Sequence, residues 1–153
     1  MDSKTFAQQF LLKEVEQMKA ANVQLHLLSA MVHGIETAGA LLDSLPFKAK
    51  GQGKKRFGLA LNKLFPAAYD KANRQLDLYG QLRSHMAHCM LPAKTIIVSD
   101  ERHLHVFENV MNIDLNVFFE DYRGAMNLLI QQLESGKLKN KKIVFENLSS
   151  LEE

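Results

Sequence analysis

A chain of 153 residues, 46% hydrophobic and 24% charged, can build one domain around one core and has little room for a second. Its formal net charge of +2 does not dictate an anionic partner, so any nucleic-acid reading must rest on local clusters. The single cysteine, Cys89, excludes an intramolecular disulfide, and no run nears the ~20 apolar residues of a membrane span; both predict a cytoplasmic protein with no membrane partner.

The start, Met1 to Thr5, is polar and has no signal-peptide apolar core. Asp2 or Ser3 caps a first helix whose stripe is Phe6, Phe10, Leu11, Val15 and Met18. Asn22 offers either continuation or a fresh cap. A second helix is predicted from Val23 to about Asp43, with Gly34 and Gly39 allowing close approach of another helix. Pro46 ends that element. Residues 45–55 form a basic, glycine-bearing loop, followed by a short helix from Arg56 to Phe65 closed by Pro66. Residues 67–91 carry a long helical pattern with a break near Ala72 and Asn73. Its inner stripe is Leu76, Tyr79, Leu82 and Met86, and Pro92 stops it. Thr95 to Val98 is β-branched, Ser99 to Glu101 reads as a turn, and His103 to Phe107 alternates; these predict a small hairpin. The last long helix runs from Leu115 or Asn116 to Ser135, stopped by Gly136. Residues 137–153 are a basic linker and C-terminal appendage of the same single domain, with Ile143-Val144-Phe145 either a short strand or a docked segment.

The chemistry concentrates at the end of the 67–91 pattern, in Gln81-Leu82-Arg83-Ser84-His85-Met86-Ala87-His88-Cys89. Ser84 and His88 share a helical face, as do His85 and His88. Arg83 and His88 do not: five steps of ~100° leave them ~140° apart around a straight helix. A site using both needs a bent helix end or a second copy of the chain.

Arg83, polar Ser84 and then His88 near the end of a late helix resemble the motif of the HEPN superfamily (higher eukaryotes and prokaryotes nucleotide-binding domains). In that motif an arginine and a histidine are separated by four to six residues, with a polar residue, most typically asparagine, after the arginine. The resemblance spans the helical order from about Val23 to Leu133. It implies a mainly α, HEPN-like bundle of four to six helices with the hairpin before the last long helix. It also implies a homodimer in which two motifs line one cleft, and a metal-independent endoribonuclease, toxin-like or defence-associated, that needs no cofactor. A cognate antitoxin would be a partner of unknown identity. In that reading Arg83 steadies a phosphate, His88 is the acid or base, and Ser84 and His85 assist. Glu36, the acidic residue on an earlier helix, orients a histidine or holds Arg83. The residue types suit the work: imidazole titrates near neutrality, and a guanidinium forks onto two phosphate oxygens.

Two other classes stand beside it. One is a non-catalytic helical module that binds nucleotides or proteins, with Arg83 paired to Asp77, Asp43 or Glu36 and His88 bonded to a carbonyl beside Pro92. The other is a metal-binding bundle drawing on His85, His88, Cys89, His103 and His105, whose spacing matches no standard zinc pattern. His26 and His33 read as structural, and Cys89 as a small core residue. Lys48, Lys50, Lys54, Lys55 and Arg56 form one basic cluster and Lys137, Lys139, Lys141 and Lys142 another. The first is the candidate RNA-binding surface if it borders the Arg83 cleft.

Overall fold

The Asp2 side chain accepts from the Thr5 amide at 2.8 Å and so opens the first helix. In the computed structural model, which describes residues 1–144, this helix, α1, spans residues 3–20. It is α-helical over Ser3–Phe6, π-helical over Ala7–Lys13 and α-helical again over Glu14–Ala20. Asn22 at φ 55° ends the connection in a left-handed turn and does not cap the next helix. There follow α2 (Gln24–Leu42), α3 (Gly53–Leu64), α4 (Ala67–Leu76), α5 (residues 79–89) and α6 (Leu115–Glu134). The chain is thus mainly helical, with six helices among the described residues.

The α2 helix lies at the centre. Leu27, Leu28, Met31, Val32, Ile35, Ala38 and Leu41 are all buried. Both of its glycines stand where a neighbour comes close: a Cβ on Gly39 would overlap the Arg56 backbone of α3, and one on Gly34 the Tyr122 hydroxyl of α6. By length and composition α2 could cross a membrane, with mean hydropathy 1.3, yet just over half of that window is buried inside the bundle. Its counterpart α6 buries a stripe from Phe118 to Leu133 and is capped by Asp114, whose carboxylate accepts from the Asn116 and Val117 amides.

The helical pattern of residues 67–91 is interrupted at Asp77, not near Ala72 and Asn73. Asp77 takes the left-handed conformation at φ 49°, which aspartate tolerates better than most residues. The chain resumes as α5, π-helical over Tyr79–Ser84 and α-helical over His85–Cys89, and Met90 at φ 59° stops it. The break changes the inner face. Leu78 joins Leu82 and Met86 inside, whereas Leu76 and Tyr79 are half-buried.

The sheet also departs from expectation. It has three strands, β1 (Ile96–Val98), β2 (Val106–Phe107) and β3 (Val110–Ile113), in the order β1-β3-β2. Residues 95–98 do not pair with 103–107. Instead β1 lies parallel to β3, Ile96 against Met111, and the hairpin is β2–β3. Glu108 and Asn109, both at positive φ, make its two-residue turn, the geometry that matches strand twist. Ile96, Met111 and Ile113 face the bundle.

The tail is part of the fold through residue 143. Lys142 forms an antiparallel bridge with Asp2, Ile143 is buried at 2% exposure, and its amide donates to the Met1 carbonyl at 2.8 Å. Lys141 Nζ donates to Leu45 O at 2.7 Å, to Asp43 Oδ1 at 2.9 Å and to Ala40 O. It thereby caps the carbonyl end of α2. Residues 137–143 therefore belong to the bundle and are no free linker. Phe145 lies outside the described residues.

Candidate functional site

Arg83 stands in the π-helical turn of α5 and turns inward, where its Nε forms an ion pair with Glu36 Oε2 of α2. The side chains are 27% and 22% exposed, and neither of these two atoms has another hydrogen-bond partner among the described residues. Two further contacts fix the pair. The guanidinium lies over the Tyr79 ring, 5.8 Å from its centroid. Gly53, the first residue of α3, is packed so tightly that a Cβ there would meet the Tyr79 hydroxyl and lie 3.0 Å from Glu36 Oε1. Glu36 thus sits between a guanidinium and the first residue of a twelve-residue helix. A π-helical turn widens the spiral, and such turns recur at functional positions.

Of the expected partners of Arg83, Glu36 is the one it meets; Asp77 pairs with Lys54 at 3.0 Å and Asp43 with Arg56. His88 is exposed and makes no hydrogen bond or ion pair among the described residues, nor does any such contact join it to Arg83. Ser84 is half-buried. The histidine that bonds a carbonyl beside Pro92 is His85, whose Nδ1 lies 2.9 Å from Leu91 O and 3.3 Å from Cys89 Sγ. Cys89 itself is exposed, contrary to the expectation of a core residue; it is the last residue of α5, and its Sγ lies 3.3 Å from His85 O.

The basic cluster divides. Lys48, Lys50, Lys54 and Lys55 are exposed, and the last two follow Gly53 directly, beside the Glu36–Arg83 pair. Arg56 does not belong with them. It is 5% exposed, with Nε 2.7 Å from Asp43 Oδ2 and its terminal nitrogens donating to the carbonyls of Pro46 and Phe47 at 2.8 Å. It ties the 43–47 loop to α3 and is unavailable to RNA. Burial alone would raise the Asp43 pKa, but hydrogen bonds from Arg56 and Lys141 outweigh it and hold the carboxyl below 3.8.

A second polar network escaped the sequence reading. Tyr69 Oη donates to Asp121 Oδ2 at 2.7 Å and lies 2.8 Å from His103 Nε2. The Asp114 amide donates to His103 Nδ1 at 3.1 Å, so the ring proton is assigned to Nε2 and donates to the phenol. Burial lowers the His103 pKa below 6.5, against the opposing pull of Asp121 and Asp114. Burial and the Asp121 hydrogen bond raise that of Tyr69. The three residues are far apart in sequence and share no periodicity; the alternation around His103 was the single hint. With His103 so committed, it and His85 serve different elements, and no group of three or more His, Cys, Asp or Glu side chains gathers as a metal set among the described residues. His33 Nδ1 meets Ser29 O at 2.8 Å within α2.

No family model matches the chain, and no curated protein or solved structure matches it.

Proposed function

We propose that the chain is a HEPN-like, metal-independent endoribonuclease whose site is completed by a second copy. One observation carries this reading. Arg83 is oriented by Glu36 with part of its guanidinium still open, while His88, further along the same helix, is exposed and has no hydrogen bond or ion pair among the described residues. With Arg83 paired inward and no such contact joining it to His88 among the described residues, we take the two groups that meet at one phosphate from facing chains. In a symmetric dimer each cleft takes Arg83 from one chain and His88 from the other. Lys54 and Lys55 follow Gly53, which packs against Glu36; Lys54 is paired with Asp77, so Lys55 is the exposed charge of the two that would attract a phosphate backbone.

The chemistry requires no metal. The ribose 2′-oxygen attacks the adjacent phosphorus, a P–O2′ bond forms and the P–O5′ bond breaks. The products are a 2′,3′-cyclic phosphate and a 5′-hydroxyl. A neutral His88 takes the 2′ proton while water protonates the leaving 5′-oxygen, or a protonated His88 supplies that proton while water takes the one from the 2′-hydroxyl. Arg83 binds the phosphoryl oxygens as negative charge builds, and Glu36 keeps its fork directed there. Ser84 and His85, four and three residues before His88, share its helical face and assist there.

The competing reading is a non-catalytic interaction module, favoured by one fact: the Glu36–Arg83 pair neutralises the charge such a nuclease needs. Cleavage of mixed RNA in chelator separates the two. Arg83→Ala and His88→Ala should each lower cleavage by about 10²–10⁴-fold, with unchanged circular dichroism. Mixing the two inactive variants should restore activity, because a heterodimer keeps one intact cleft. Cleavage equal to wild type in both variants rules out the roles given to Arg83 and His88, and absence of complementation rules out a site shared between chains.

A further inference from the structure

A cleft of about 370 Å³ lies on the far side of the His103 network, between α4 and the loop that joins β1 to β2. Its polar lining is Lys71 and Gln75 from α4, and Arg102 and His105 from the loop. All four side chains are exposed, and neither Lys71 nor Arg102 has an ion-pair partner among the described residues. No carboxylate lines the cleft, and Asp70, the nearest acid in the α4 sequence, is paired with Arg74. The floor is small and apolar, with Ala68, Ala72 and Val106.

The loop is built to hold this arrangement. Leu104, between the two basic residues, takes φ 56°, a left-handed conformation that costs a residue with a Cβ and persists only where its surroundings impose it. His103 supplies the constraint through Tyr69 and the Asp114 amide, and the Leu104 amide donates to Asn112 O at 2.8 Å. The kink keeps Arg102 and His105 on one cleft opposite Lys71 of α4. Two cationic side chains on one cleft with no carboxylate in its lining favour an anion between them.

We infer that this cleft is a binding site for a phosphate group, separate from the Glu36–Arg83 site. Lys71 and Arg102 neutralise the phosphate, and His105 and Gln75 supply further hydrogen bonds. The rings in the lining are His103, already committed, and His105, which we assign to the phosphate, so the site reads phosphate and not base identity. The phosphate has two sources: a polyphosphate-bearing small molecule, or the backbone of an RNA strand. This inference involves residues outside the proposed nuclease motif and does not depend on that activity.

The test uses the whole chain and two probes, sodium tripolyphosphate and a fluorescein-labelled ten-residue oligouridylate, titrated across a salt series. The proteins are wild type, Lys71→Ala/Arg102→Ala, Arg102→Glu, Arg102→Lys, and Lys63→Ala as a control for loss of an exposed charge elsewhere. Binding to at least one probe should weaken about ten-fold or more in the double variant and in Arg102→Glu, partly recover in Arg102→Lys, and persist in Lys63→Ala. For the oligonucleotide, loss of two contacts should flatten the salt slope by about 1.4. Loss confined to the oligonucleotide identifies a strand as the source, and loss with tripolyphosphate identifies the phosphate group itself. Wild-type binding of neither probe, or equal binding by the cleft variants, overturns the inference. Failure of RNA cleavage alongside intact cleft binding would touch only the nuclease reading.

Discussion

The Tyr122 hydroxyl of α6 is buried, lacks a hydrogen-bond partner among the described residues and occupies the place where a side chain on Gly34 would begin. Two substitutions probe this contact as a cycle. A phenol taken from water without a partner costs about 1–3 kcal/mol, so Tyr122→Phe should leave stability unchanged or raise it by about 1 kcal/mol after the loss of a few dispersion contacts. Gly34→Ala alone gains about 0.5–1 kcal/mol of helix propensity but drives its methyl into the phenol oxygen, and overpacking of that kind costs about 1–3 kcal/mol. With the oxygen removed, the nearest ring carbons lie 3.0 and 3.1 Å from the new Cβ, so a small shift of the ring accommodates it. The double variant should therefore be more stable than Gly34→Ala by more than Tyr122→Phe exceeds wild type, a coupling of about 1–2 kcal/mol. Urea unfolding followed by circular dichroism measures this, provided the m-value stays constant. A loss above about 1 kcal/mol in Tyr122→Phe would refute the reasoning, because it would mean that the hydroxyl makes a bond of value.

Three further outcomes follow from the buried charges and the docked tail. Asp43→Asn leaves Arg56 and Lys141 without their shared anion and should cost about 3 kcal/mol by urea unfolding. Because the folded Asp43 pKa lies below 3.8, its contribution is complete above that pH and disappears as pH falls through the folded value, so Asp43→Asn should flatten the acid limb of stability against pH. His103 has the opposite chemistry and the same direction. Its folded pKa lies below 6.5, so the native state resists protonation: stability should be full above about pH 6.5 and decline below it. His103→Gln should remove that decline, and an unchanged slope by thermal unfolding between pH 7 and 5 would contradict it. Ile143→Ala should cost about 2–4 kcal/mol, because the side chain is buried among core residues; a value near zero would mean that the tail is not docked in solution.

The helices were readable because their apolar residues recur at one period over long stretches. Phe118 through Leu133 form one such stripe, and the cap at Asp114 and the stop after Glu134 fall close to where the residue types place them. What failed to show was non-local. The break at Asp77 arises from a single left-handed residue inside a pattern that continues on both sides, so periodicity cannot mark it. β3, Val110–Ile113, was overlooked because four residues carry too little alternation, and its parallel pairing with β1 depends on the chain crossing between them. Arg56 shows the same limit: four neighbouring lysines make it look like surface, whereas burial follows from Asp43 and the loop carbonyls thirteen or fewer residues away.

At the candidate site the sequence could supply the groups but not their directions. Arg83 and Glu36 lie on helices separated by two others in chain order, and their meeting depends on how closely α5 and α3 approach α2. That approach is controlled by residues with no chemistry of their own. Gly39 lets the α3 backbone lie against α2, Gly53 leaves room for Tyr79 and Glu36, and Asp77 restarts α5 so that Leu78, Leu82 and Met86 anchor it while Arg83 turns inward. Once Arg83 is fixed on that side, helical geometry sends His88 away from it and toward solvent. In the proposed nuclease reading, an inward arginine and an outward histidine on one helix serve one phosphate by drawing on two chains. That reading ties activity to association, and a variant that holds the chain monomeric without touching either residue should then cleave RNA as poorly as Arg83→Ala.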